Sequence, residues 1–220
     1  MTSNSIFPSR LTQVDDLTLG HHHYLTASDA CVFLGEYTAR KGYAFSITNQ
    51  LILNFKKSVQ TRGTEQWKYK GRAIQQAAAA FAAALPADWL NQTTLIPIPP
   101  SKAKNDPLYD DRMVRMLNLI RPQPPLDVRE LLIQVQSTEA AHGLNARPRP
   151  EDIERLYVLD EALCQQPISA IGIFDDVLTT GAHFRAAQTK LQHRFPGIPI
   201  VGLFIARRVP EAIDFDAIEF

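Results

Sequence analysis

Asp175 and Asp176 end an apolar run and stand just ahead of a Thr179-Thr180-Gly181 turn. The full string is Ile171-Gly-Ile-Phe-Asp-Asp-Val-Leu-Thr-Thr-Gly-Ala-His-Phe184. A turn of this kind aims backbone N–H groups and hydroxyls at a phosphate, and a helix starting behind it favours the negative charge. Gly181 supplies a position without Cβ, where an anion can approach closely or φ can turn positive. The blander account is a strand-to-helix turn with an acidic N-cap, common in α/β proteins. The acidic pair alone would favour that account; the whole string favours phosphate recognition. A Walker loop is excluded, because it ends in Gly-Lys-Ser or Gly-Lys-Thr.

Such a turn needs a strand before it and a helix behind it. Ile168 to Phe174 has the length and apolarity of a buried strand, and Ala182 to Arg194 has helical character. Upstream, Thr26-Ala-Ser-Asp29 has the form of a capping box before an apolar face of Ala30, Phe33, Leu34 and Tyr37, which predicts a helix ended near Gly42. Ser46 to Lys57 fits either type: Ile47, Leu51 and Phe55 have helical spacing, whereas Leu51, Leu53 and Phe55 alternate. Lys56-Lys57 reads as a solvated charge pair at its end.

Residues 58–66 read as a surface loop, and Ile74 to Leu85 as an alanine-rich helix stopped by Pro86. Thr94 to Ile98 reads as a strand that delivers Ser101, Lys102 and Lys104 at its carboxyl end, where open α/β sheets bind ligands. Asp110 or Asp111 caps a helix reaching Ile120, and Arg129 to Val135 is a strand. Asp152 to Leu159 forms a short helix and then a strand, and Ile198 to Ala206 the last strand. This alternation predicts an α/β protein with a mostly parallel twisted sheet and helices on both faces.

Composition narrows the classes. The chain has 220 residues, 45% hydrophobic and 21% charged, enough for one domain with an elaboration. Lys+Arg and Asp+Glu are both 23, and this zero balance argues against a dedicated nucleic-acid binder. No run has transmembrane length and no signal pattern opens the chain, so a cytoplasmic protein without a membrane partner is expected. Cys31 and Cys164 read as reduced thiols. Residues 1–20 read as a mobile or draped segment. His21-His22-His23, with Cys31, invites a metal, but no ligand spacing accompanies them. The favoured reading is a polar segment whose histidines bond backbone or meet substrate anions.

Phe174-Asp-Asp-Val-Leu-Thr-Thr-Gly-Ala182 resembles the phosphoribosyl pyrophosphate (PRPP) motif of type I phosphoribosyltransferases. The resemblance implies that fold, with a small N-terminal or hood elaboration. It gives Asp175 and Asp176 the ribose hydroxyls, and Thr179, Thr180, Gly181, Ala182 and His183 the 5′-phosphate. Phe55-Lys56, Lys68-Tyr-Lys-Gly71 with the helix after it, Ile96-Pro-Ile-Pro-Pro-Ser-Lys102, Thr138, His142-Gly-Leu, Arg147 and Ile205-Ala-Arg207 are similar, in order, to the competence-protein ComF branch, the first two as its lysine-bearing lead-in. By that resemblance Ser101 and Lys102 would hold pyrophosphate. The implied division is 1–66 as an N-terminal extension with lead-in helices and 67–220 as the phosphoribosyltransferase-like core.

Three features depart from the branch. Its cysteine-rich zinc module is absent, so no zinc is expected. Asp106-Pro-Leu-Tyr-Asp-Asp-Arg112 replaces its usual Arg-Gly-Phe-Asn-Gln string, and His183 replaces Thr or Ser. The implied activity is Mg²⁺- and PRPP-dependent transfer of a phosphoribosyl group to an unknown acceptor, with pyrophosphate released. Tyr109 and Asp111, with Tyr43 and Asn49, are acceptor-side candidates, although core or capping roles suit each equally well. The Mg²⁺ would arrive with PRPP, with no protein ligand assigned. The alternative is a non-catalytic PRPP or nucleotide sensor of the same fold. A homo-oligomer is left open.

Overall fold

Cys31 to Leu34, Leu95 to Ile98, Ile171 to Phe174 and Leu203 to Ala206 are short apolar runs, buried almost throughout. Runs of this kind suit a parallel sheet covered on both faces. The computed structural model describes residues 7–138 and 148–210. Its strands are β1 (Thr12–Gln13), β2 (Ala30–Thr38), β3 (Thr93–Pro97), β4 (Leu132–Gln134), β5 (Tyr157–Leu159), β6 (Ala170–Leu178) and β7 (Ile200–Val209). Its α-helices are α1 (Asp16–Leu19), α2 (Ile47–Phe55), α3 (Trp67–Ala84), α4 (Ala87–Gln92), α5 (Arg112–Ile120), α6 (Pro150–Leu156) and α7 (Ala182–Arg194).

The central sheet has the order β1-β2-β7-β6-β3, parallel throughout except for the β1–β2 pair. One face is covered by α2, α3 and α5, where Phe55, Ile74, Phe81 and Met116 pack with Phe174, Leu203 and Ile205. On the other, Ile153 of α6 and Phe184 and Leu191 of α7 pack with Ile171, Ile173 and Phe204. Buried Ala73, Ala77 and Ala78 let α3 lie close to its neighbours. Met113, Met116, Leu117 and Ile120 make the single buried stripe of α5. The antiparallel pair β4–β5 is a separate small sheet. No helix among the described residues is long and apolar enough to cross a membrane.

Several expectations need correction. Ala30 to Tyr37 is not a helix but most of β2, paired along β7. The capping signal is nevertheless real: the Thr26 N–H donates to the Asp29 carboxylate at 2.7 Å. Asp29 then also accepts from Arg185 and Gln188 of α7, so the turn is spent on a tertiary tie. Residues 1–66 are more than an extension with lead-in helices, because β1 and β2 are two of the five strands of the central sheet. The described part of residues 1–20 carries β1 and the capped α1.

Ser46 caps α2 through Asn49 N–H, which settles 47–55 as helix. α3 begins at Trp67, well ahead of Ile74, and β6 runs past Phe174 to Leu178.

Candidate functional site

The carboxyl edge of the sheet gathers most of the chemistry. Asp176 lies within β6 and is only 4% exposed. Its Oδ1 accepts from Lys56 Nζ at 3.0 Å and its Oδ2 from Arg112 Nη2 at 2.7 Å. Arg112 also donates from Nη1 to Asp110 Oδ2 at 2.7 Å. Lys70 is wholly buried, and its ammonium donates to Asp110 Oδ2 (2.7 Å), Phe55 O (2.9 Å) and Lys57 O (2.8 Å). Three N–H groups thus meet three acceptors, which is what permits the burial of a lysine. Lys56 is therefore not merely a solvated cap.

This latch sets the local electrostatics. Burial alone would raise the pKa of Asp176, but Lys56 and Arg112 outweigh it and hold the group far below the usual carboxylate range. Burial, followed by the charge of Asp176, pushes Asp175 up to about 7. Asp175 Oδ1 accepts the Asp176 N–H at 2.7 Å. In that row the strand pairing skips Asp176, Ile205 and Leu34 on three adjacent strands. The two carboxylates are therefore unequal: Asp176 is committed to cations, whereas Asp175 is half-buried and retains its proton more readily.

The Thr-Gly turn is held from the other side. Gly181 has φ 86°, left-handed, and caps α7. The His22 Nδ1–H donates to Thr179 O, and the Tyr24 N–H to Thr180 O at 3.0 Å. A Cβ on Gly181 would come within 2.9 Å of Leu25 Cδ2. The missing side chain thus makes room for Leu25 as well as permitting positive φ. Ala182 N–H has a long 3.4 Å contact with Thr180 Oγ1, and among the described residues the Thr180 and Gly181 N–H groups have no acceptor. These orphan donors at the start of α7 are suited to an anion.

His183 is exposed on the first turn of α7, and its Nδ1 lies 2.9 Å from the hydroxyl of Tyr157 on β5. Tyr157 is buried, and its hydroxyl has no other acceptor among the described residues. The hydroxyl therefore donates, Nδ1 accepts, and the imidazole proton resides on Nε2. Burial, then the charge of Asp175, raises Tyr157 well above its ordinary pKa and keeps it a donor. Desolvation by the surrounding protein lowers His183, with Asp176 opposing, and water contact on the exposed ring weakens the effect.

The loop after β3 leaves from the same edge, since Ile98 N–H donates to Phe174 O at 2.8 Å. Ser101 O accepts from Thr138 N–H (2.8 Å) and Gln134 Nε2 (2.7 Å). Lys102 is half-buried and makes no ion pair among the described residues.

The acceptor-side candidates fare differently. Tyr109 donates to Glu130 at 3.0 Å, and Asp111 makes a 3.8 Å surface pair with Arg115. Both line a crevice of about 10 Å³, the space of one water. Asn49 is buried and ties Thr38 and Lys41 backbone groups to α2, while exposed Tyr43 meets Lys57. His142, Gly143, Leu144 and Arg147 lie outside the described residues.

Lys56, Lys70, Asp110, Arg112, His22 and Tyr157 take these roles only in three dimensions. The sequence hinted at some of them: a histidine segment expected to bond backbone, which His22 does, the lysine-bearing lead-in with Lys56 and Lys70, and the departing 106–112 string with Asp110 and Arg112. Among the described residues no three carboxylate, histidine or cysteine side chains converge as a metal cage, and both Asp176 oxygens face cations. No family model matches the chain, and neither a curated protein nor a solved structure matches it.

Proposed function

We propose that the chain is a type I phosphoribosyltransferase-like protein that binds PRPP and transfers its phosphoribosyl group to an acceptor. The observation that carries this reading is the left-handed Gly181 turn, with unpaired N–H groups, following two carboxylates at the carboxyl edge of a parallel sheet. Asp175 takes the ribose hydroxyls, because Asp176 is engaged by Lys56 and Arg112. Thr179 to His183 hold the 5′-phosphate, and Ser101 with Lys102 meets the pyrophosphate. Magnesium fits as a partner of the pyrophosphate rather than of a protein cage, and when bound it neutralises charge on the leaving group. The acceptor's lone pair forms the new bond at ribose C1 as the C1–O bond to pyrophosphate breaks. Lys102 stabilises the negative charge that accumulates on the departing group.

Calorimetric titration of PRPP with Mg²⁺ into wild type and Asp175→Asn tests the reading. Binding to wild type that weakens about tenfold or more in the variant is expected, as for loss of a charge-assisted contact. Absence of binding to wild type overturns it. The narrow crevice beside Tyr109 and Asp111 favours a second reading, a PRPP or nucleotide sensor without turnover. Steady pyrophosphate release with any acceptor would exclude that.

A further inference from the structure

A second opening lies beside Thr179, and no acidic residue among the described ones lines it. It encloses about 200 Å³ and is lined by His21, Thr179, Arg208 and Pro210. Arg207 is 7% exposed, ion-pairs with Glu36, and brings Nη1 to 3.2 Å from His21 Nδ1. A guanidinium has no lone pair, so Nδ1 accepts and the His21 proton sits on Nε2. Among the described residues that Nε2–H meets no acceptor, and Arg208 has a buried, unpartnered Nε and no ion pair. The Thr179 carbonyl, on the wall of the opening, is already occupied by His22.

We propose that this cleft binds an oxyanion, carboxylate or phosphate, carried by the acceptor. The inference rests on the transferase reading and deepens it: the acceptor is a small acidic molecule. Pockets for drug-sized ligands run to ~300–1,000 Å³, so this smaller cleft suits an anionic group and a few attached atoms. Among the described residues, Arg208 on its wall and Arg207 behind it, against the Glu36 carboxylate, give it a positive excess. The same chemistry would suit the 5′-phosphate of PRPP, and the experiment separates the two sources.

Inorganic phosphate is titrated into the whole protein while the His21 imidazole is followed by nitrogen-15 NMR, with and without PRPP and Mg²⁺. The expected result is a saturable shift of His21 Nε2 that persists when PRPP is present. Arg208→Gln weakens phosphate binding about tenfold or more, the scale of a charge-assisted hydrogen bond, and leaves PRPP affinity unchanged. Arg208→Lys retains most of the binding. No shift at His21, or none of this loss in Arg208→Gln, overturns the inference. Displacement of phosphate by PRPP also overturns it and assigns the cleft to the 5′-phosphate. Phosphate binding at His21 without any PRPP binding keeps the oxyanion site and removes the transferase reading instead.

Discussion

The two sides of the carboxyl edge are closed by different physics. Toward α2, α3 and α5, Asp176 and Asp110 are locked by Lys56, Arg112 and Lys70 in a buried network of charges. Toward β5 and α7, single hydrogen bonds from His22, Tyr24 and Tyr157 steady the Thr-Gly turn and His183. Removing one member of a buried network strands the remaining charge, whereas losing one neutral hydrogen bond costs little. The latch side is thus a fixed frame, whereas the contacts that hold the turn are individually weaker. Consecutive residues of one strand serve the two sides, Asp176 the frame and Asp175 the other.

Three substitutions would break or sharpen that contrast. Arg112→Met should cost about 3–5 kcal/mol in urea unfolding, because Asp176 and Asp110 lose their shared guanidinium while both stay buried. A loss below about 1 kcal/mol would mean the latch is no frame at all.

Asp175→Asn tests the other carboxylate through pH. Its folded pKa lies above the ordinary 3.8, so the folded state keeps a proton that the unfolded chain has already released. Stability owed to this group therefore declines as pH rises from 3.8 to about 7 and is flat beyond. Asp176 contributes with the opposite sign, but only below the usual carboxylate range. The variant should lose the decline and gain on the order of 2 kcal/mol relative to wild type by neutral pH, partial exposure having reduced an upper bound of about 4 kcal/mol. Parallel stability–pH curves for the two proteins would refute this.

Tyr157→Phe should be the mildest, about 1 kcal/mol. It should also release His183 into a mixture of tautomers, visible in its ring-nitrogen shifts. An unchanged His183 spectrum would show that Tyr157 does not orient it.

The alternation of strands and helices was legible because short apolar runs and punctuating prolines are local signals. The residue pattern of β2 misled for a physical reason. A strand buried on both faces loses its alternation, and Ala30, Phe33, Leu34 and Tyr37 then match helical spacing by accident. β6 outran its apolar segment because Lys56 and Arg112 neutralise Asp176, a compensation supplied from segments far away in the chain. The turn residues Thr179 to Gly181 stand where the string placed them, between strand and helix, and Ala182 and His183 open α7. Their supports, His22, Tyr24, Leu25 and Tyr157, carry no spacing signal, since packing alone brings them there.

The position of β7 has a consequence for how the chain is made. This strand, the last to emerge during synthesis among those of the sheet, is inserted between β2 and β6 and pairs with both. Until it arrives, β2 has only the two residues of β1 beside it, and one edge of β6 stays open. Asp176 and the turn belong to β6, whereas the turn's supports His22 and Tyr24 precede β2, and β7 joins these two halves of the sheet, so a nascent chain lacking it has no assembled ligand-binding edge. Folding must then wait on contacts distant in sequence, which makes it slow and leaves strand edges exposed to other chains in the interval.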